Sequence, residues 1–222
     1  MEGKIKTGFS VILARQGDRA ILTYPGSIPA LKMSDVDFSL ISKCRHLHLS
    51  GYFLLDQLRP DIKVLFNKAK ELGLSLSLDT NYDPTGNWDH GLSETLPFVD
   101  VFLPNKTEAQ AISGEKSVEN ALQKLAEIMP IVAIKLGDAG ALTKWKGHPR
   151  LKQEVVAVKV VDTVGAGDSF DAGFIYGYLN GWSPERTLRL AVTCGSLSTL
   201  KPGGTAGQVR LEEALEYVER EV

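Results

Sequence analysis

Cysteine is scarce in this chain. Cys44 and Cys194 are the only two among 222 residues, far apart and in no metal-ligand spacing. That excludes a disulfide framework and leads to the expectation of buried free thiols in a reducing compartment. Charge of one sign is lacking as well. The formal net charge is -2, the pI is near 6.1 and the basic residues are scattered, so neither a nucleic acid nor an anionic membrane surface is an expected partner. Long apolar runs are missing. The apolar stretch near the N-terminus, Phe9 to Ala14, is too short and too interrupted for a signal peptide or a membrane span. There is no internal repeat, no low-complexity segment and no linker rich enough to mark a domain boundary. These absences lead to the expectation of a cytoplasmic protein.

What is present is ordinary for a globular chain: 43% hydrophobic residues and 23% charged ones. The length suits one large domain over residues 1–222 with a proper core. Apolar patterns alternate between strand-like and helix-like periods, which predicts an α/β fold: a mostly parallel sheet with helices on both faces. Gly8 to Ala14 and Ala20 to Tyr24 read as a strand pair about a turn at Gln16-Gly17-Asp18. Ser34 reads as a helix cap, Pro60 to Leu72 as a helix, and His46 to Ser50 and Leu74 to Leu78 as strands. Val101 to Leu103 and Ile131 to Leu136 read as further strands, with helices at Thr107 to Ile112 and Val118 to Met129. Val155 to Val161 reads as a β-branched strand. Helices follow at Asp168 to Gly181, Pro184 to Leu200 and Leu211 to Glu221.

The most informative segment is Asp162-Thr163-Val164-Gly165-Ala166-Gly167-Asp168-Ser169-Phe170. Two glycines flank one alanine where a helix begins. Gly165 and Gly167 let the backbone turn sharply and let N–H groups crowd an anion with no Cβ in the way. The helix turns its unpaired N–H groups and positive dipole end to the same place. Asp168 is then placed to take a proton from a hydroxyl attacking a phosphoryl group. No Gly-Lys-Ser/Thr follows, so this is not a Walker A loop, and a third glycine at dinucleotide-fold spacing is missing. The plain alternative is a tight turn with Asp168 as helix cap.

Polar residues also collect after other strand ends: Asp79 and Asn81, Asn105 and Glu108, Gly137, and Asp162 to Asp168. In open α/β sheets the ligand crevice lies outside those ends, so a ligand site is expected there. His46 and His48 alternate on a strand with no third ligand, which argues against a metal site.

With Ala172, Gly173 and Phe174, the string Asp-Thr-x-Gly-Ala-Gly-Asp-Ser-Phe-x-Ala-Gly-Phe closely resembles the C-terminal signature of the ribokinase-like (PfkB-type) carbohydrate kinases. The resemblance implies a ribokinase-like fold, with residues 8–24 as a small β lid or edge element. It implies ATP-dependent phosphorylation of a hydroxyl on a sugar or nucleoside-like small molecule. Asp168 is then the base, and the backbone of Gly165, Ala166 and Gly167 the anion hole.

Asn105-Lys106-Thr107-Glu108 resembles the family's Asn-x-x-Glu element, which organises Mg²⁺ and its waters; the same spacing also suits a helix capping box. Lys135 to Gly140 resembles the Gly-x-x-Gly turn along the nucleotide, here Gly137 and Gly140, and Lys135 either reaches a phosphate or lies in solvent. Asp162, Thr163 and Gly203, the last in the Lys201 to Thr205 loop, complete the implied nucleotide contacts. That loop passes the adenine or a monovalent cation (K⁺) in relatives, and a helix C-cap loop looks the same.

Asp79 and Asn81 fall where several sugar kinases of the family carry Asp-x-Asn-x-Arg. Asp83 stands at the Arg position, which argues against an acidic sugar; a plain turn is the alternative. The resemblance implies longer relatives, with this chain expected to begin about a third of the way in. That leaves open an impaired, nucleotide-binding form with an incomplete sugar pocket, and an exposed sheet edge that invites a homodimer.

Overall fold

Helix and strand largely alternate through the middle of the chain, residues 38–135, as the periodicity predicts. The structure is a computed structural model that describes residues 5–15 and 18–220, with backbone alone for 14, 15 and 18–21. It divides into two compact units, Met1–Phe98 and Val99–Val222.

The first unit begins with β1 (Phe9–Arg15) and β2 (Asp18–Tyr24), an antiparallel pair in register from Phe9↔Tyr24 to Arg15↔Asp18. The expected turn residues Gln16 and Gly17 lie outside the described residues. Phe9, Val11, Leu22 and Tyr24 are exposed, and the Phe9 and Tyr24 rings lie 5.8 Å apart.

A short α1 (Phe38–Ile41) follows. Its cap is Asp37, whose carboxylate accepts from Ser39 N at 2.8 Å. The expected cap, Ser34, lies instead in a 3₁₀ turn, Met33–Asp35. Both are short polar residues, but only Asp37 directly precedes an apolar one, Phe38. Asp37 wins because it has extended backbone with its oxygen free to turn forward.

Strands β3 (His46–Ser50) and β4 (Ser75–Asp79) pair in parallel, joined by α2 (Ile62–Glu71). Helix α2 buries Ile62, Leu65, Phe66 and Ala69, the i, i+3, i+4, i+7 face, and packs against β4. His46 and His48 hydrogen-bond to Ser75 and Ser77 across the strand pair at 2.7–2.8 Å. A one-turn α3 (Leu92–Thr95) closes the unit.

In the second unit, β5 (Val101–Phe102) leads to α4 (Lys106–Ser113), α5 (Val118–Leu125) and β6 (Ile131–Lys135). Strands β5 and β6 are parallel, and an isolated parallel bridge joins Asn105 to Lys135 just beyond. Two strands not foreseen in the sequence, β7 (Ala141–Trp145) and β8 (Leu151–Gln153), extend β6 in antiparallel fashion.

Val155 to Val161 forms no strand. Val155, Val160 and Val161 are exposed, and the segment follows a helix rather than a ladder. Val161 N and Asp162 N both donate to Thr199 O, and Val156 N donates to Ser196 Oγ. β-branched composition favours extended backbone, but a strand also needs a free neighbouring edge.

Helices α6 (Ala166–Leu179), α7 (Pro184–Ser198) and α8 (Leu211–Arg220) complete the chain. Helix α6 starts at Ala166, two residues before the expected start, so Asp168 lies inside its first turn and is not its cap. Phe170 and Phe174 join Val101, Leu103, Ile131 and Ala133 in one core cluster with Leu188, Ala191 and Val192 of α7. The alternate strand residues Phe102, Val132 and Ile134 are fully buried too, and α5 packs on β6. Period-two alternation therefore gives this unit helices on both faces of its strands.

Helices α6 and α7 approach closely because α6 offers glycine at the crossing. A Cβ on Gly177 would lie 2.7 Å from Thr187 Oγ1 and 3.0 Å from Thr187 Cα, and one on Gly173 would lie 3.0 Å from Ala191 Cα. Gly177→Ala gains about 1 kcal/mol of helix propensity but forces an overpacked backbone contact costing about 1–3 kcal/mol. The variant is expected to unfold at lower urea concentration than the wild type by circular dichroism; an equal or higher midpoint refutes the packing argument.

Candidate active site

The first turn of α6 is built by two residues outside it. Gly165 sits at the N-cap in the left-handed region, φ 75°, which disfavours any side chain. A Cβ there would also lie 2.6 Å from Gly204 O, so the turn and the 201–205 loop touch backbone to backbone. Asp162 joins the same two segments. Its Oδ1 accepts from Val164 N at 3.0 Å and its Oδ2 from Gly203 N at 2.9 Å. Ala166 N donates to Thr163 O over a long 3.3 Å, and Ser169 N donates to Gly165 O as the first helical bond. One amide of the expected three-residue anion hole is thus weakly engaged already. Gly167 and Asp168 carry N–H groups of the helix's first turn, which geometry leaves without in-helix partners.

Asp168 is exposed in that turn, where its negative charge meets the positive end of the helix dipole. Gly167 differs from Gly165. Its backbone is helical, and the nearest atom to a Cβ there is Lys135 Nζ at 3.7 Å, an ordinary contact. Neither conformation nor a protein neighbour requires glycine at 167.

The ends of β5 and β6 supply the next residues. Lys135 N donates to Pro104 O at 2.9 Å, and the bridge to Asn105 places the two residues side by side. Lys135 is not in solvent: its ammonium lies 3.0 and 3.2 Å from the two oxygens of Asp171 on α6. Sequence reasoning missed Asp171. The available signal was a carboxylate three residues after Asp168, set between Phe170 and Ala172 in a largely apolar stretch.

Asn105 and Glu108 form a full capping box. Asn105 Oδ1 accepts from Glu108 N at 3.0 Å, Glu108 Oε2 accepts from Asn105 N at 2.9 Å, and Asn105 Nδ2 donates to Glu108 Oε1. Glu108 is 3% exposed. These are hard oxygen donors of the type Mg²⁺ takes, but both carboxylate oxygens already hold Asn105. The residues therefore fit a hydrated Mg²⁺ reached through water rather than direct ligation.

Gly137 and Gly140 close the β6–β7 turn: Leu136 N donates to Gly140 O at 2.8 Å and Gly140 N to Gly137 O at 3.1 Å. Gly140 has a structural reason of its own, since at φ 82° a Cβ would run into Gln153 O. Thr163 is exposed beside the glycine turn.

In the first unit, Asp79 ends β4 and is 7% exposed, and its Oδ1 accepts from Asn81 N at 3.0 Å. Asn81 is held at φ 59°. Asp83 is 1% exposed and organises its own loop: it accepts from Thr85 N, Thr85 Oγ1 and Trp88 N, with His90 Nε2 at 3.5 Å. Burial raises the Asp83 pKa, but the N–H groups of Trp88 and Thr85 and the nearby His90 outweigh it, so the net direction is down.

The pfkB family carbohydrate kinase profile matches residues 1–210. The chain belongs to that family. A sugar kinase of Archaeoglobus fulgidus whose activity is uncharacterised is 32% identical over 215 residues, 94% of this chain and 82% of that one. A ribokinase of Arabidopsis thaliana is 31% identical over 206 residues, 86% of this chain and 51% of that one. The chain thus spans from about half to four fifths of the length of these relatives.

Among solved structures, a candidate ribokinase II of E. coli in complex with ATP and Mg²⁺ superposes with a TM-score of 0.85 at 25% identity. The match covers 97% of this chain and 72% of that one. The fold is accordingly ribokinase-like: α/β, with a mostly parallel sheet flanked by helices and a small antiparallel pair near the N-terminus. Among the described residues, no helix is long and apolar enough to cross a membrane.

Two outcomes test this description of the site. Gly167→Ala is expected to hold or raise stability in urea unfolding, by up to about 0.5–1 kcal/mol; a clear loss would mean the protein itself needs glycine there. Asp83 contributes stability above the ordinary carboxylate pKa of 3.8, and that contribution is lost as pH falls through its lower folded value. Between about pH 5 and pH 3, Asp83→Asn is therefore expected to lose less stability than the wild type, whereas parallel pH profiles would remove the carboxylate from that role.

Proposed function

We propose that residues 1–222 form one kinase domain that transfers the terminal phosphoryl group of ATP to a hydroxyl of a sugar or related small molecule. The observation that carries this reading is the first turn of α6: an exposed carboxylate, Asp168, follows a glycine turn pinned by Asp162, with a lysine ammonium beside it. Family membership supports the reaction class.

In this reading Asp168 accepts the proton as the acceptor's O–H bond breaks. A new O–P bond forms to the γ-phosphorus while its bond to the bridging oxygen breaks, and ADP leaves. The amides of Gly165, Ala166 and Gly167 stabilise charge on the transferring group. Asp162, Thr163, Gly203 and the Gly137–Gly140 turn shape the nucleotide side, while Asp79 and Asn81 meet the acceptor.

Asn105 and Glu108 would hold Mg²⁺ through its waters, and the ion when bound neutralises phosphate charge. K⁺ belongs to the same reading, at backbone carbonyls around Val164 and the 201–205 loop. Asp83, engaged by its own loop, takes the place of a cation that an acidic sugar would meet and supplies none itself.

The test is ADP release with Mg²⁺-ATP across a panel of sugars and nucleosides, for the wild type and for Asp168→Asn. The variant is expected to lose roughly 10²–10⁴ in kcat while still binding nucleotide, the scale for a missing general base. A change of less than about threefold would remove Asp168 from this role. ATP binding by the wild type without turnover on any acceptor would select a nucleotide-binding member in place of an active kinase.

A further inference from the structure

The helix that bears Asp168 carries a second carboxylate for which the reaction outlined above has no use. Asp171 lies one turn further on with its side chain 4% exposed, and Lys135, 13% exposed, faces it from the end of β6. Such a pair is a poor device for stability alone. Taking two charges out of water costs about what their attraction returns, and apolar residues of similar size serve a core at least as well.

Its position is more informative. The Lys135 ammonium sits 3.7 Å from where a Cβ on Gly167 would be, against the turn whose amides the kinase reading gives to the phosphates. A lysine is a compact charge on a flexible stem, and it meets a ligand at a fixed point only where something else holds it. Asp171 does so through both oxygens, 3.0 and 3.2 Å away.

We propose that Asp171 is a positioning residue that holds the Lys135 ammonium against the Gly165–Gly167 turn, where it meets the outer phosphate oxygens of the nucleotide. This rests on the kinase reading above and deepens it. Without Lys135, the Asp171 carboxylate is left behind the turn and repels the phosphates. Without Asp171, the charge remains but wanders, so affinity survives better than turnover. The lysine acts on the outer phosphates and hardly on the nucleoside end, so its loss should discriminate among nucleotides.

The experiment measures binding of a non-hydrolysable ATP analogue and of AMP by calorimetry, together with kcat and KM, on the full chain. Lys135→Met is expected to weaken the ATP analogue by about tenfold or more, the scale of one charge-assisted contact, with AMP changed less than about twofold. Asp171→Asn is expected to lower kcat by about tenfold with the ATP-analogue affinity held within about threefold.

The double variant Lys135→Met with Asp171→Leu replaces the buried pair by apolar side chains and so guards against misfolding. It should recover part of the affinity lost in Lys135→Met but keep the reduced preference for ATP over AMP. Equal loss for both nucleotides, or a double variant with wild-type preference and turnover, makes the pair structural and overturns the assignment. A wild type that binds no ATP analogue overturns the kinase reading and this one with it.

Discussion

One left-handed residue governs the geometry of the second unit's site. Gly165, at φ 75° and in backbone contact with Gly204, sets where the chain stops running along α7 and where α6 begins. A side chain at 165 would meet both a conformational penalty and a backbone oxygen, so neither rotamer choice nor loop adjustment can rescue it. Asp162 makes the turn a shared structure by bonding Val164 N with one oxygen and Gly203 N with the other. Two loops separated by some forty residues of chain are thereby held as one piece, with α6 and α7 between them.

The position of α6 then depends on its two faces. Phe170 and Phe174 seat it on the strands, and Gly173 and Gly177 bring it close to α7. These requirements leave the first turn rigid, with Asp168 outward. Gly165, Gly173 and Gly177 are each accounted for by backbone or packing. Gly167 is not, although glycine in a helix is the costlier choice. A residue unexplained by the protein's own structure is best explained by something the protein holds. The same logic applies to Lys135 and Asp171, a buried charged pair in a place where apolar residues would pack as well.

Several elements coincide with features visible in the sequence. The helical period of Ile62, Leu65, Phe66 and Ala69 gave α2, and Ser117 and Ser183, short polar residues directly before α5 and α7, accept from Asn120 N and Arg186 N as caps. The Asn105–Glu108 spacing was readable as a capping box, and that geometry is realised in full. The misreadings share a cause. Val155 to Val161 has strand composition but lies against the end of α7, and the short β7 and β8 carry little periodicity of their own. Composition reports what a residue tolerates; a ladder also needs a partner, and partners are set at a distance.

The sequence by itself determined the local patterns: a glycine turn, a carboxylate at a helix start and polar residues after strand ends, which local sterics and dipoles decide. The tertiary structure alone decided that Lys135 faces Asp171 rather than solvent, that Asp162 spans two loops, and that Gly165 and Gly167 are glycine for different reasons. Each of these depends on atoms brought together from distant parts of the chain, and no spacing along the chain encodes such an approach.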